Sequence, residues 1–348
     1  MDFVNKDTDG FDWYTVDDKP FVLDGLYWRK SGEELRRLPL GYSISPGIDE
    51  TLSWHTSGVM LRFVSDADEI RIAVKLHHNA RMDHMAAVGS MGFDLYCGRG
   101  SAKKYVRSAR FDRSLDEYIV PMFELQDRNH KEREFTLHFP LYCGVKEFKI
   151  GLNRGAAVKA PSPWSDPRPV VVYGTSIQQG GCASRPGNVY TSMLCRKVDA
   201  PQINLGFSGS ARGEEAIAEL IGSLKLSCFV YDYDYNAPTA QHLQATHEKF
   251  FKIVRKMQPT LPIIIMSRCN YKGHAHDLER RAIIYKTYEN AVAAGDKNVY
   301  WVDGKDLFKG DMRDSCTVDG THPNDLGFFR MYEQTLPALK KALKLTDK

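Results

Sequence analysis

The stretch VVVYGTSIQQGG, residues 170–181, places a wholly apolar segment directly before a serine that is flanked by glycines. An uninterrupted apolar run of this length is typical of a central parallel strand that is covered on both faces. Four comparable runs follow, and segments with helical periodicity separate them. This alternation predicts an α/β fold, with a parallel sheet between two layers of helices. The four further runs are 202–205, 228–232, 263–266 and 299–302.

Up to about residue 160 the chain has a different pattern, in which apolar and polar residues alternate over short segments. Period-two alternation is typical of strands that bury one face. Many such strands without a clear amphipathic helix predict an all-β sandwich of the jelly-roll type. The clearest examples are 59–63, 70–76 and 135–139.

A Pro-rich segment separates the two patterns. The residues APSPWSDPRP contain four prolines in ten positions, which excludes a central strand or a helix there. We therefore predict three parts, namely a β-sandwich domain at 1–160, a Pro-rich linker at 161–169 and an α/β domain at 170–348.

Length, composition and charge exclude several classes of function. The 348 residues are 43% hydrophobic and 26% charged, which is ordinary for a globular protein. The 47 Lys and Arg residues nearly balance the 44 Asp and Glu residues, and the net charge of +3 predicts no nucleic-acid partner. Because the longest apolar runs are too short to cross a bilayer, no membrane insertion is predicted.

The first residues and the cysteines bear on location. The start, MDFVNKDTDGFDW, lacks the basic and apolar stretches of a secretory signal. The seven cysteines form no C-x-x-C pair, and their odd number argues against a disulfide framework. The chain as given therefore predicts a cytoplasmic protein, and a removed signal peptide would make it periplasmic or secreted.

Polar residues that could take part in catalysis or binding follow the predicted strands. Ser176 comes after the first strand on a tight turn, Gly209 lies in a glycine-rich loop after the second, and Asn236 follows the third. Asp319 and His322 stand three residues apart before the last predicted helix. Since ligand sites in open parallel sheets form at the carboxyl ends of the strands, we expect these residues to share one edge of the sheet.

These residue types fit acyl transfer. Ser176 would be the nucleophile, His322 the general base that removes its proton, and Asp319 the group that orients the imidazole. The backbone N–H groups of Ser176 and Gly209 and the side-chain amide of Asn236 would stabilise the oxyanion. Each motif alone has another explanation. The G-T-S turn could bind a phosphate, although it lacks the lysine of a P-loop, and the other motifs could be a helix cap and a turn.

In this order, Ser176, Gly209, Asn236 and Asp319-x-x-His322 resemble the four blocks of the SGNH hydrolases, the GDSL-type esterases. The resemblance spans about residues 168–343 and is most specific at YGTSIQQGGCASRPG and TVDGTHPNDLGF. It implies a flavodoxin-like three-layer hydrolase with the roles given above and without a metal or an organic cofactor.

The N-terminal half resembles the domain that precedes the hydrolase in one branch of this family. The match is HMAAVGSMGFDLY, which ends in the G-x-D-L-Y signature at 92–96. The branch implies a carbohydrate esterase, often an acetyl esterase. Two positions depart from the family's pattern: Thr175 stands where many members have aspartate, and Ala237 follows Asn236 in place of the common G-x-N-D. Neither change removes a group that the mechanism requires.

Four residues are candidates for substrate binding, namely Thr175, Arg185, Asn188 and His84. A salt bridge or a cap at the start of a helix would also account for Arg185 and Asn188. His84 begins the segment 84–96, which we predict either to line the cleft or to form a contact between the domains.

Other residues that attract attention have structural explanations. Trp54 and Trp164 could stack on sugar rings, but tryptophan more often packs in a core. Cys182 is expected to be a packed thiol, since no second base is evident nearby. His77, His78, Asp83 and His84 lie within eight residues of one another, but the adjacent His77 and His78 point apart in any strand, so no metal site is predicted there.

The sequence as a whole predicts a serine esterase that removes small O-acyl groups, above all O-acetyl, from carbohydrate. A lysophospholipase or thioesterase with the same machinery is one alternative, and a non-catalytic glycan-binding protein is another. The expected partner is therefore an acylated carbohydrate or another small ester. The sequence predicts neither the sugar nor the oligomeric state.

Overall fold

The computed structural model describes residues 10–127 and 129–346, so the first nine residues of the predicted β-domain lie outside it. In chain order its strands are β1 (Phe11–Tyr14), β2 (Val22–Asp24), β3 (Met60–Ser65), β4 (Glu69–Leu76), β5 (Asp94–Cys97), β6 (Lys104–Ser108), β7 (Glu117–Glu124), β8 (Arg133–His138), β9 (Val145–Asn153), β10 (Val158–Lys159), β11 (Val170–Gly174), β12 (Gln202–Gly206), β13 (Cys228–Asp232), β14 (Ile263–Met266) and β15 (Val299–Val302). Its α-helices are α1 (Pro46–Glu50), α2 (Ala87–Met91), α3 (Ser176–Gln179), α4 (Tyr190–Val198), α5 (Glu215–Gly222), α6 (Ala240–Met257), α7 (Ala275–Ala293) and α8 (Asp325–Ala342).

The N-terminal half folds as two antiparallel sheets. One has the order β1-β9-β4-β7 and the other the order β10-β3-β8-β5-β6, with β2 also paired to β3. Apart from the short strands β2 and β10, this is the strand order of a jelly roll. Apolar and aromatic side chains fill the core, where Phe63 of β3 stacks on Phe135 of β8 with ring centroids 5.4 Å apart. The predicted jelly-roll-like sandwich is confirmed.

The central strands β3 and β8 of the second sheet are buried on both faces, although they alternate in polarity. Leu61 and Phe63 of β3 and Phe135 and Leu137 of β8 face the sandwich core. Thr136 and His138, on the opposite face, line a small cavity against residues of the C-terminal half. Burial lowers the pKa of His138 well below its usual value, so this imidazole stays neutral. The polar side of the sheet is therefore an interface between the domains.

The predicted linker is held against this interface through Trp164. The guanidinium of Arg62 lies 3.9 Å from the centroid of the Trp164 ring, and Lys103 Nζ lies 4.2 Å from the same centroid. Trp164 Nε1 donates to Asp24 Oδ2 at 3.2 Å, and Asp24 also pairs with Arg62 at 2.7 Å. Cations on an aromatic face are attracted by the ring quadrupole, so Trp164 serves as a packing residue here.

The C-terminal half contains the predicted parallel sheet, in the order β12-β11-β13-β14-β15. This 2-1-3-4-5 order is that of flavodoxin-like folds, in which ligands bind where the strand order reverses. Val171 and Tyr173 of the central strand β11 enter one core, and Val170 and Val172 enter the other. Helices α5, α6 and α7 cover the first core, and α4 and α8 cover the second. The predicted flavodoxin-like three-layer fold is confirmed.

Two long helices begin at residues whose side chains cap them. The Thr239 hydroxyl accepts a hydrogen bond from the His242 N–H at 3.0 Å before α6, and the Asn324 side chain accepts one from the Gly327 N–H at 3.1 Å before α8. Such a cap satisfies an N–H group that the first turn leaves unpaired. The second cap fixes the point at which the chain leaves the loop that carries His322.

No helix within residues 10–127 and 129–346 combines the length and the apolar character that a membrane crossing requires. All seven cysteines are free thiols, and all except Cys97 are buried. Burial raises the pKa of the Cys143 thiol to about 11 and that of the Cys182 thiol to about 12, which keeps both protonated. A protonated thiol is a poor nucleophile.

Candidate active site

Ser176 lies at the point where the strand order of the parallel sheet reverses. It is the first residue of α3, directly after β11, and 8% of its surface is exposed. Thr175 caps α3 by accepting from the Ile177 N–H at 3.2 Å, and Gln178 accepts in turn from the Thr175 N–H at 2.8 Å. This reciprocal capping box fixes the direction in which the chain enters the helix. Thr175, predicted to bind substrate, is instead buried in the cap, where its hydroxyl donates to Gln178.

Gln178 also ties α3 to the neighbouring strand β13. Its Nε2 donates to Asp232 Oδ2 at 2.9 Å. Burial and the nearby charge of Asp234 raise the pKa of Asp232 to about 7. The carboxyl oxygen can accept the hydrogen bond from Gln178 Nε2 whether Asp232 is protonated or not. The helix that begins with Ser176 is therefore anchored to β13 by the buried side chains of Gln178 and Asp232.

Three side chains form a hydrogen-bonded chain at this edge of the sheet. Ser176 Oγ lies 2.9 Å from His322 Nε2, and His322 Nδ1 lies 2.6 Å from Asp319 Oδ2. Partial burial raises the pKa of Asp319, but hydrogen bonds from His322 and from the Thr321 N–H outweigh it and lower this pKa to about 2. Because the ionised carboxylate holds Nδ1–H, Nε2 is the nitrogen that can accept the proton of Ser176.

Gly209 and Asn236 follow the two strands that flank β11. Asn236 Nδ2 donates to Phe207 O at 3.0 Å, which joins the two loops and leaves the second N–H of the amide available. Among the residues that the structure describes, the backbone N–H groups of Ser176 and Gly209 donate to no other residue. Gly209 has φ +66° and nothing within 4 Å of where a Cβ would stand, so it borders open space. Three available donors thus lie at the ends of three neighbouring strands.

The β-domain supports α3 from behind. The Tyr142 hydroxyl donates to Ser176 O at 3.1 Å, and the Ser57 hydroxyl donates to Gln179 O at 2.6 Å. Both Tyr142 and Ser57 are buried. The sequence does not predict these contacts, because neither residue lies near a recognisable motif.

Gln179 connects the β-domain to the loop that contains Gly209. Its Nε2 lies 2.9 Å from His55 Nδ1, and its Oε1 accepts from the Ser208 N–H at 2.9 Å. Burial lowers the pKa of His55 to about 3, so the imidazole is neutral and Nδ1 accepts from the amide. One glutamine side chain therefore couples the β-domain to the loop that carries a predicted oxyanion donor.

Arg37 is a fully buried cation beside the same loop. Its guanidinium donates to the carbonyl oxygens of Asn204, Gly206 and Leu52 at 2.9, 2.8 and 2.7 Å, and it lies 4.7 Å from the centroid of the Phe207 ring. Burial lowers the pKa of Arg37 to about 9, which leaves the group charged at neutral pH. A residue from the N-terminal half thus fixes the carbonyl end of β12.

The G-x-D-L-Y signature joins the two domains. Asp94 is fully buried, and its carboxylate accepts from Arg185 Nη1 at 2.7 Å and from the Gly187 N–H at 3.0 Å. The Tyr96 hydroxyl accepts from Arg185 as well. Burial raises the pKa of Asp94 despite the opposing charge of Arg185. The structure therefore shows the salt bridge that was one of the two explanations offered for Arg185, and its contact with substrate stays a prediction.

The two remaining substrate-binding candidates lie near the His322 loop. Asn188 Nδ2 donates to Asp325 Oδ2 at 2.9 Å in the first turn of α8, which is a structural contact. The ring of His84, from the β-domain, lies edge-on to that of His322 with centroids 5.7 Å apart. Segment 84–96 thus contacts His322 of the Ser176–His322–Asp319 group through His84, and it contacts Arg185 of the C-terminal half through Asp94.

A flavodoxin-like sheet with serine, histidine and aspartate joined at its carboxyl edge is the arrangement of a carboxylic ester hydrolase. The family model described as GDSL-like lipase/acylhydrolase matches residues 167–340, and the chain belongs to this family. A second model, GxDLY, described as the N-terminus of SGNH-hydrolase-type esterases, matches residues 11–158. No curated protein matches the chain.

Several solved structures resemble the chain over nearly its whole length. A GDSL-like lipase from Bacteroides ovatus is 26% identical, with a TM-score of 0.86 over 97% of this chain and 99% of that one. The salicylyl-acyltransferase SsfX3 from a tetracycline biosynthetic pathway is 17% identical, with a TM-score of 0.76 over 95% and 97%. A family two carbohydrate esterase from Cellvibrio japonicus is 12% identical, with a TM-score of 0.63 over 96% and 98%. The combination of a β-domain and a hydrolase domain is therefore a shared fold.

Proposed function

We propose that this protein is a serine esterase that removes small O-acyl groups, above all O-acetyl, from carbohydrate through an acyl-Ser176 intermediate. The observation that carries the proposal is the hydrogen-bonded chain, with 2.9 Å between Ser176 Oγ and His322 Nε2 and 2.6 Å between His322 Nδ1 and Asp319. These separations suit a nucleophile, a general base and an orienting carboxylate. Membership of an acylhydrolase family supports the same chemistry.

In the first half of the reaction, His322 Nε2 takes the proton of Ser176 as Oγ attacks the ester carbonyl carbon. The ionised Asp319 stabilises the imidazolium that results. When the tetrahedral intermediate collapses, the bond to the sugar oxygen breaks and His322 gives its proton to that oxygen. A water then attacks the acyl-serine with His322 again as base, which releases the acid and restores the Ser176 hydroxyl.

The negative charge on the intermediate needs donors that are already in place. The N–H groups of Ser176 and Gly209, which donate to no described residue, and the second amide N–H of Asn236 fit this role. Donors fixed in advance need not reorganise when the charge develops, and their effect is large where water is excluded.

Replacing Asn236 with alanine is expected to lower kcat by roughly 10²- to 10³-fold, the usual cost of removing one oxyanion donor, with little change in KM. Steady-state kinetics on an acetate ester would measure the effect. Because Asn236 also holds Phe207 O, a denaturation curve must accompany the kinetics. Asn298→Ala, at the far end of the sheet before β15, is the matched control. A fall in kcat below threefold with the fold intact would remove Asn236 from the oxyanion site.

The nature of the substrate is inferred from the surroundings of Ser176 and from the comparisons. His84, His322 and Asn236 are polar, which favours a short acyl group and a sugar hydroxyl over a long alkyl chain. The resemblance in fold to a family two carbohydrate esterase supports a carbohydrate as the alcohol. A small ester on a sugar satisfies both observations.

Acyl-chain preference tests the substrate class. We expect p-nitrophenyl acetate to be hydrolysed faster than the butyrate and far faster than the octanoate, and acetate to be released from acetylated xylan and from acetylated manno-oligosaccharides. The readouts are kcat/KM for each chromogenic ester and acetate measured by an enzyme-coupled assay.

Each other outcome of this test selects an alternative. A preference for octanoate would replace the acetyl esterase with a lysophospholipase or thioesterase, to be tested on lysophosphatidylcholine and on acyl-coenzyme A. Binding of xylan or mannan oligosaccharides without turnover of any ester would favour the non-catalytic glycan-binding protein.

A further inference from the structure

Three potential metal ligands from separate parts of the chain meet beside Ser176. One ligand atom from each of His84, Cys182 and His322 lies within 4.8 Å of the other two. His84 belongs to the β-domain, Cys182 follows α3, and His322 precedes α8. The sequence predicts no metal site among His77, His78, Asp83 and His84, and of these four residues the cluster contains only His84.

Both histidines of the cluster have the same second contact. His84 Nδ1 lies 3.1 Å from Asp83 Oδ1, and His322 Nδ1 lies 2.6 Å from Asp319 Oδ2. A carboxylate on one ring nitrogen is the usual partner of a metal-binding histidine, because it fixes the tautomer and makes the other nitrogen a better ligand. In both residues Nε2 is therefore the nitrogen left for an ion.

We propose that His84, Cys182 and His322 form a binding site for a zinc ion, which takes the two Nε2 atoms and the Cys182 sulfur as ligands. Bonds of about 2.1 Å to nitrogen and 2.3 Å to sulfur place the ligand atoms of a tetrahedral ion about 3.5 Å apart. The ligand atoms now lie within 4.8 Å of one another, so side-chain rotations need to close each separation by about 1.3 Å at most. The set of two imidazoles and one thiolate selects zinc over magnesium or calcium.

Binding changes the state of the thiol and of the base. The Zn–S bond forms as the Cys182 proton passes to solvent, and a water completes the fourth position, as in sites with three protein ligands. The lone pair of His322 Nε2 is then shared with the metal and cannot take the proton of Ser176. The ion is therefore a reversible inhibitor of the proposed esterase, and this consequence, unlike the binding itself, rests on the proposed function.

Cobalt provides a test of the site that does not depend on activity. Metal-free full-length protein is titrated with Co²⁺, whose bond to a thiolate gives a near-ultraviolet charge-transfer band, and Zn²⁺ is then added to displace it. We expect one ion per chain. Cys182→Ser should abolish the band, whereas Cys97→Ser should leave it unchanged. His84→Gln should weaken binding at least tenfold, whereas His276→Gln, at an exposed position in α7, should not.

Two results would overturn the proposal. One is a cobalt–thiolate band that persists in Cys182→Ser, and the other is a metal affinity that His84→Gln does not change. The inhibition arm measures ester hydrolysis against Zn²⁺ concentration, with recovery on adding EDTA. Ser176→Ala keeps all three ligands, so it should bind Co²⁺ although it does not turn over. If the wild type hydrolyses no ester without metal, the proposed function fails while the cobalt titration still decides the site.

Discussion

Ser176→Ala is expected to lower kcat for acetate esters by roughly 10⁴-fold or more, with KM nearly unchanged. The reason is that, in the proposed mechanism, the Ser176 hydroxyl supplies the atom that forms the acyl-enzyme. Cys182 is no substitute, because burial raises the pKa of its thiol to about 12. The rate that remains should come from the oxyanion donors and from substrate binding, which the alanine leaves in place.

The partners of Ser176 make this prediction more stringent. Residues that act as one catalytic unit are not additive, so Ser176→Ala/His322→Ala should be no slower than Ser176→Ala alone. Asp319→Asn should lower kcat less than Ser176→Ala or the double variant does. It removes the carboxylate that orients His322 and stabilises the imidazolium, but it leaves the nucleophile and the base in place.

The control is Ser114→Ala, at an exposed position in the β-domain, which should retain full activity. A fluorophosphonate probe should label the wild type once, at Ser176 by peptide mapping, and should not label the alanine variant. Labelling of another serine, or a Ser176→Ala rate within tenfold of wild type, would move the nucleophile elsewhere.

Asp94→Ala is expected to lower the free energy of unfolding by about 3 kcal/mol, near the lower limit for breaking a buried ion pair. The substitution removes the carboxylate that pairs with Arg185 and leaves the Gly187 N–H without its hydrogen-bond acceptor. Because 21% of the Arg185 side chain is exposed and water can partly solvate it, the expected loss lies at the lower end of the range. Urea denaturation, followed by tryptophan fluorescence and by activity, would measure the change.

A double substitution separates the lost contact from the stranded charge. Asp94→Ala/Arg185→Met removes both charges, so it should recover part of the stability that Asp94→Ala loses. Asp116→Ala, at an exposed position of the same domain, is the matched control. If Asp94→Ala unfolds at the wild-type urea concentration, the signature does not hold the domains together.

The α/β half could be predicted closely because its signals are local. Strands such as Cys228–Asp232 and Ile263–Met266 are buried on both faces, so they stand out as continuous apolar runs between helices. The candidate site follows from the same logic, because residues that end neighbouring parallel strands must meet at one edge.

The burial of polar residues between the domains could not be predicted in this way. Period-two alternation in β3 and β8 indicates one apolar face, but it does not tell whether the polar face meets water or another domain. Thr136 and His138 show the second case. Arg37 is harder still, because a fully buried arginine that donates mainly to backbone carbonyls and lies over an aromatic ring has no sequence pattern of its own.

The contacts behind Ser176 have a consequence for how such proteins can diverge. Tyr142, His55 and Arg37 are encoded in the first half of the gene, yet they support the helix and the loop of the second half. A crossover at the Pro-rich segment 161–169 that joined this hydrolase to an unrelated β-domain would replace all three at once. We therefore expect domain exchange between relatives to succeed only where both sides of this contact are exchanged together.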